Sequence, residues 1–504
     1  MMKFLSIILL TTQQLIGQVP LSLSGKLTND FSAGEVYLKT GQEIKMAAIG
    51  PIPVGTSLKP ITVLADHNWY YINYSKKFQQ EFNLRPNTIV DFWEYESLKH
   101  DVYENILIHG YQFDLRRELT EQAQETISEL EENGWFFNDD FIELYLHSLL
   151  YKLLPSSLLD NRDFNLSFRI LKDPTPNAYA LPNGTILITS GLLTTMRSGE
   201  ELIAVIAHEL SHLILDHCII NINKKIQRQK SAEFIAGLTT ALAAGADVYL
   251  ATKNENYIPG PLTETVGLLS FSAAAIISDY FGVSFSKEQE SDADLVAVRL
   301  LGFLHMDSTF LSSALTRIKD YSIANGNMWA LSDDGDHPNI DARIASIGVP
   351  GDFVDPNYDK IISAIISSSA TMEFYKGHYQ GCLDLVNRNF NDSLETSNDF
   401  LLKANSILRL FDSPEKNEEV FTLLEQSKLK FPDLNLSFYK IEGLVNMRLK
   451  KLSAAKSSFM SYLSLLKSEQ AKNEYFKNIS LWTSRYLYIQ DEVQWTNMML
   501  LKLK

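Results

Sequence analysis

The chain has 504 residues, too many for one compact core, so length alone points to several domains. Its 45% hydrophobic and 21% charged content is ordinary for a globular protein and excludes a collagen-like, wholly disordered or polytopic membrane chain. With 61 acidic against 45 basic residues the net charge is -16, which excludes a nucleic-acid backbone as the main partner. Cys218 and Cys382 are the only cysteines, so the fold rests on apolar cores rather than a disulfide framework.

In chain order, Lys3 and the short apolar run Phe4–Leu10 read as a secretory signal peptide over residues 1–17, too short to span a bilayer. Leu15 departs from the small-residue rule for cleavage after Gly17, and a buried first strand is the competing reading. Residues 18–96 alternate short apolar stretches with turn signals, as in Thr62-Val63-Leu64 and Trp69 to Tyr74, and read as a small β domain. Past Ser97 the apolar period becomes helical, as in Leu115 to Leu130 and Phe141 to Leu154. Within residues 97–350 the strand candidates are Leu166–Leu171 and Thr185–Thr189. The apolar segments 234–251 and 266–285 contain Asp247 and Asp279 and are rich in small residues, so buried or interface-lying helices are expected rather than spans. Residues 351–504 read as helical hairpins, with Ala370, Ala404 and Gly443 as the small residues of degenerate tetratricopeptide-like repeats. An irregular helical bundle is the alternative there.

The sharpest chemical signal is His208-Glu209-Leu210-Ser211-His212 inside the apolar helix that begins near Glu201. At about 100° per residue the two imidazoles stand roughly 40° apart on one face, so both can reach one ion. Glu209 beside them is placed to take a proton from metal-bound water. His217 lies on roughly the opposite face of a continued helix and reads as a helix-end residue. A catalytic zinc needs a third protein ligand and one open position. Glu290 and Asp294, spaced four apart on a second helix, are the candidates: one carboxylate for the metal, the other to hold a ligand imidazole by its second nitrogen. A solvated acidic helix start is the plain alternative.

Asn177 to Pro182 with Gly191-Leu192-Leu193, then His208 to His212, Glu290 to Asp294, and His337-Pro338 with Arg343 follow one another in a familiar order. This resembles the zinc endopeptidases that include HtpX, the CAAX prenyl endopeptidase and the periplasmic β-barrel assembly-enhancing protease. The resemblance covers about Ser97 to Pro350. It implies one zinc per chain on His208, His212 and Glu290, with Glu209 as catalytic base and Asp294 behind the ligands. His337 and Arg343 would lie near the metal, where they could stabilise an oxyanion. His337, in the turn-rich loop Asp333 to Pro338, could instead cap the open zinc position at rest. Asn177, Ala178 and Tyr179 would form an edge strand that binds an extended peptide by main-chain hydrogen bonds; a purely structural hairpin is the alternative.

Together these readings predict an α+β protein: a small β domain, a mainly helical zincin-type domain with a small sheet, and a helical repeat array. The expected activity is zinc-dependent endopeptidase, exported to the periplasm or outer-membrane periphery and acting in quality control of envelope proteins. Protein or peptide substrates, a protein partner on the repeats and membrane association without spanning are expected; nucleic acid is not. The competitors are a non-proteolytic envelope chaperone working through its repeats, and an intramembrane peptidase.

Overall fold

The computed structural model describes residues 19–49, 60–100, 102, 110–132, 134–154, 166–228, 285–325, 340–432, 434, 436–474 and 480–503. The expected signal peptide over residues 1–17 and the apolar segments 234–251 and 266–284 lie outside them. Among the described residues no helix is long and apolar enough to cross a membrane.

The chain opens with strands β1 (Val19–Leu27), β2 (Phe31–Ala33), β3 (Val36–Leu38), β4 (Glu43–Ile49), β5 (Pro60–Ala65) and β6 (Asn68–Asn73). Helix α1 (Lys76–Glu81), strand β7 (Leu84–Pro86) and helix α2 (Ile89–Lys99) follow. Five strands form an antiparallel sheet in the order β6-β5-β4-β1-β7, and β2 and β3 pair separately. Ile61, Val63 and Ala65 point inward at every second position, the period of a half-buried strand. Asp66 and His67 both take positive φ between β5 and β6, the backbone that a two-residue turn needs to match strand twist. Helix therefore begins well before Ser97, the point at which the sequence pattern suggests it. A capping box of Thr88 and Asp91 starts α2, and the helix buries both its faces. Phe92 and Trp93 enter the central core while Tyr95 and Leu98 enter the β core, so α2 is a wall common to both.

The central region contains α3 (Gly110–Glu132), α4 (Asp140–Leu153), β8 (Ser167–Leu171), β9 (Ala178–Ala180), β10 (Thr185–Thr189), α5 (Ser190–Thr195) and α6 (Gly199–Ile214). It continues with α7 (His217–Arg228), α8 (Lys287–Phe303), α9 (Thr309–Ala324) and α10 (Ile340–Ile347). The sheet order is β8-β10-β9, with β8 parallel to β10 and β9 antiparallel at the edge. β10 is buried along its whole length, which explains its unbroken apolar run Ile186-Leu187-Ile188. The expected strands match β8 and β10, and the helices over 115–130 and 141–154 match α3 and α4, with Leu166 just before β8 and Leu154 the C-cap of α4.

Helices α11 (Tyr358–Ile361), α12 (Ser363–Tyr375), α13 (Tyr379–Asn391), α14 (Ser397–Leu410), α15 (Pro414–Lys430), α16 (Leu436–Arg448), α17 (Leu452–Glu474) and α18 (Ser480–Lys502) complete the chain. Consecutive helices pack on one another through this series. Ala370 and Ala404 are fully buried, and a Cβ on Gly443 would lie 2.5 Å from the Phe459 ring, so small residues do permit close helix approach here. The central core does not stop at Pro350: Tyr358, Ile362, Ile365 and Ile366 belong to it, and the Tyr358 hydroxyl donates to the Leu193 carbonyl at 2.9 Å.

One glycine fixes how β10 hands over to α5. The Gly191 amide donates to the Asp173 carbonyl at 2.7 Å, and a Cβ there would sit 2.1 Å from the Pro174 carbonyl oxygen. Backbone on both sides leaves no flexible atom to yield. Gly191→Ala should therefore destabilise the protein by about 3 kcal/mol, the upper end of overpacking costs. Gly302→Ala on α8, where nothing lies within 4 Å, should be neutral or stabilising by up to about 1 kcal/mol through helix propensity. Thermal melting of both variants checks the contrast; equal melting shifts would contradict it.

Candidate metal centre

Helix α6 is held at its start by a fully buried carboxylate. The Ser198 side chain caps the Glu201 amide, and Glu201 in turn accepts from the Arg197 amide (2.8 Å), Ser313 Oγ (2.6 Å) and Arg317 Nε (2.7 Å). Two of those donors lie on α9, so the start of α6 is tied to that helix. Apolar residues surround it on all sides, which encloses His208, Glu209 and His212. As one helical turn requires, the two imidazoles meet: Nε2 of His208 and Nε2 of His212 are 3.1 Å apart.

Helix α8 crosses them. Its capping box, Ser286 with Gln289, sets the first turn, and the next residue is Glu290, 1% exposed. Glu290 Oε1 lies 3.4 Å from His212 Nε2 and Oε2 lies 3.6 Å from His208 Nε2. Among the described residues, His208, His212 and Glu290 form the one group of this kind able to hold a metal. Zinc bonds of about 2.0–2.2 Å in a tetrahedron separate neighbouring donors by roughly 3.3 Å. The three observed separations bracket that value, and two imidazoles with a carboxylate are a donor set that zinc accepts.

Asp294, one turn after Glu290, accepts from His208 Nδ1 at 2.9 Å. That bond leaves His208 Nε2 as the nitrogen with a lone pair for an ion. Arg343 of α10 forks onto Asp294 through Nε and Nη2, both at 2.8 Å, and reaches Glu290 Oε2 through Nη1 at 2.7 Å. Burial pushes the Asp294 carboxyl up, but Arg343 and His208 outweigh it and hold the group down to about 2. Burial likewise disfavours a charged Arg343, and Glu290 and Asp294 more than compensate. Arg343 thus lies behind Glu290 and Asp294, in contact with both. Its Nη2 also lies 3.4 Å from Nδ1 and from Nε2 of His208. Glu209, buried on α6 next to His208, lies within the field of the same guanidinium.

His217 stands at a helix end, as expected, but not on the face opposite His212. α6 ends before it: Asp216 takes φ 58°, a left-handed residue that stops the helix, and α7 begins at His217. The turn brings His217 Nδ1 to 2.9 Å from His212 Nδ1, with both rings buried. Phe285 stacks on His212 with ring centroids 3.9 Å apart. Burial, with the nearby His212 and His100, lowers the His217 pKa. Only an Asp at the helix end, a residue type that tolerates left-handed backbone, hinted at this turn. His337 lies outside the described residues.

Asn177 and β9 sit beside α6 at the edge of the small sheet. Thr189 N donates to Asn177 O and Leu181 N to Thr185 O, so the odd-numbered positions bond to β10. Ala178 and Ala180 therefore turn their main-chain groups toward the edge, where the Ala178 amide donates to Asn177 Oδ1 at 2.9 Å. Tyr179 Oη accepts from Asn177 Nδ2 at 2.8 Å.

If Arg343 and Asp294 act as one buried unit, removing either should cost about 3–5 kcal/mol in the metal-free protein, because it strands a buried charge. The double variant Asp294→Ala/Arg343→Ala should lose at least about 1 kcal/mol less than the sum of the singles. Denaturant unfolding in the presence of a chelator measures this, and strict additivity would contradict the coupling.

Comparison with known proteins agrees with this geometry. The chain is 28% identical over 205 residues to the mitochondrial metalloendopeptidase OMA1 of Schizosaccharomyces pombe, covering 40% of this chain and 51% of the relative. It is 23% identical over 191 residues to a beta-barrel assembly-enhancing protease of Vibrio cholerae, covering 38% and 36%. Over 155 residues it is 28% identical to protease HtpX of Legionella pneumophila, covering 30% and 50%. The matches span about half or less of these relatives' own length. Residues 143–349 match Peptidase family M48, an interval that contains His208, Glu209, His212, Glu290, Asp294 and Arg343, and the chain carries a domain of that family.

Proposed function

We propose that this protein is a zinc-dependent endopeptidase, exported, that cleaves polypeptides as part of envelope-protein quality control. The observation that carries the reading is the set of donor separations at His208, His212 and Glu290, with Glu209 adjacent on the same helix. When bound there, zinc supplies a Lewis acid for the scissile carbonyl and lowers the pKa of its water to about 7. The rest falls to side chains. Glu209 takes the proton of the attacking water and later gives it to the leaving amine. Asp294 and Arg343 hold His208 and Glu290 in place, so little reorganisation is needed during the reaction. Ala180 offers its main-chain groups, and Ala178 its carbonyl, at a sheet edge beside α6, which suits an extended peptide of loosely specified sequence.

Export is supported by the apolar run Phe4–Leu10 after Lys3, and the envelope role by the likeness to the Vibrio cholerae protease. The successive helices after α11, packed through Ala370, Ala404 and Gly443, support a repeat array with a surface for a protein partner.

The test is casein cleavage by the full chain and by Glu209→Gln. Zinc content should stay near one ion per chain while kcat/KM falls by roughly 10²–10⁴, the usual contribution of a general base. Cleavage that survives the substitution would contradict the mechanism. A parent chain that cleaves nothing yet suppresses aggregation of unfolded proteins would establish the chaperone alternative instead.

A further inference from the structure

We propose that His217 is a positioning residue for the metal, accepting the Nδ1–H of His212 so that His212 Nε2 presents its lone pair to the ion. The inference rests on the proposed zinc site and deepens it. Two imidazole nitrogens 2.9 Å apart must share a single proton. If His217 were the donor, the proton of His212 would sit on Nε2, aimed at His208 Nε2 and Glu290 Oε1, and no ion could bind that nitrogen. With His212 as donor, Nε2 is available. The acceptor role also suits the charge balance. His208 is oriented by a carboxylate, and Glu209, Glu290 and Asp294 already bring three acidic side chains to the centre. A neutral acceptor for the second imidazole adds no further negative charge.

The surroundings hold His217 in this pose. It opens α7, and within that helix's first turns Asn221 exchanges two hydrogen bonds with Gln289 (Nδ2 to Oε1 2.8 Å, Nε2 to Oδ1 3.0 Å). Gln289 directly precedes the ligand Glu290, so one amide pair ties the element carrying His217 to the element carrying the third donor. Phe285 covers the face of His212 and limits rotation of that ring.

Zinc affinity of the full chain, measured by competition with a chromophoric chelator, tests the proposal through three variants. His217→Leu should weaken zinc binding about 10–100-fold, the range for losing a hydrogen-bond partner of a ligand imidazole. His217→Asn, whose Oδ1 can stand where Nδ1 stands, should recover most of that loss. His217→Gln, which places its oxygen one bond further out, should not. The visible absorption of the cobalt-loaded Asn variant should match the parent and that of the Gln variant should differ. Should His217→Leu fail to fold, the Asn and Gln pair still decides the matter. Parent-like affinity in His217→Leu, or equal affinity in Asn and Gln, overturns the role of His217 while leaving the zinc site intact. A parent that binds no zinc overturns both.

Discussion

A guanidinium buried between two carboxylates is the contact on which the centre depends. Arg343 reaches Asp294 with two nitrogens and Glu290 with a third, and Asp294 passes the constraint on to His208. Each of these groups would be costly to bury alone, since an unpaired charge in an apolar interior loses several kilocalories of hydration free energy. Together they satisfy one another, and the result is two helices, α6 and α8, tied together with the help of one side chain on a third.

The scaffold serves the same end at longer range. Glu201 anchors the start of α6 to α9, Gly191 lets β10 turn tightly into α5 against the Asp173–Pro174 backbone, and α2 joins the β core to the central one. The first helices after Pro350 also contribute apolar residues to the central core.

Much of this is legible in the sequence because periodicity and ligand spacing are local properties. The i to i+4 pairs His208/His212 and Glu290/Asp294 announce a shared helix face, and the apolar run of β10 announces full burial. What is illegible depends on where helices stop and how they cross. His217 is five residues from His212 and reads as facing away on a continuous helix; one left-handed residue at Asp216 reverses that. Arg343 is recognisable by its place in a motif, yet its partners could be known only once α8 and α10 were packed. The onset of helix at Ile89 is hidden in the sequence because α2 buries both faces and so lacks the one-sided pattern that marks an amphipathic helix, and α1 is only six residues long.

The central claim is that His208, His212 and Glu290 share one metal ion. The most direct test is a crystal structure of the zinc-loaded protein with anomalous diffraction recorded on both sides of the zinc absorption edge. The account predicts one strong edge-dependent peak within about 2.0–2.2 Å of both Nε2 atoms and a Glu290 oxygen, with His208 Nδ1 still on Asp294. No peak between these side chains, or one that leaves Glu290 outside bonding distance, would contradict it.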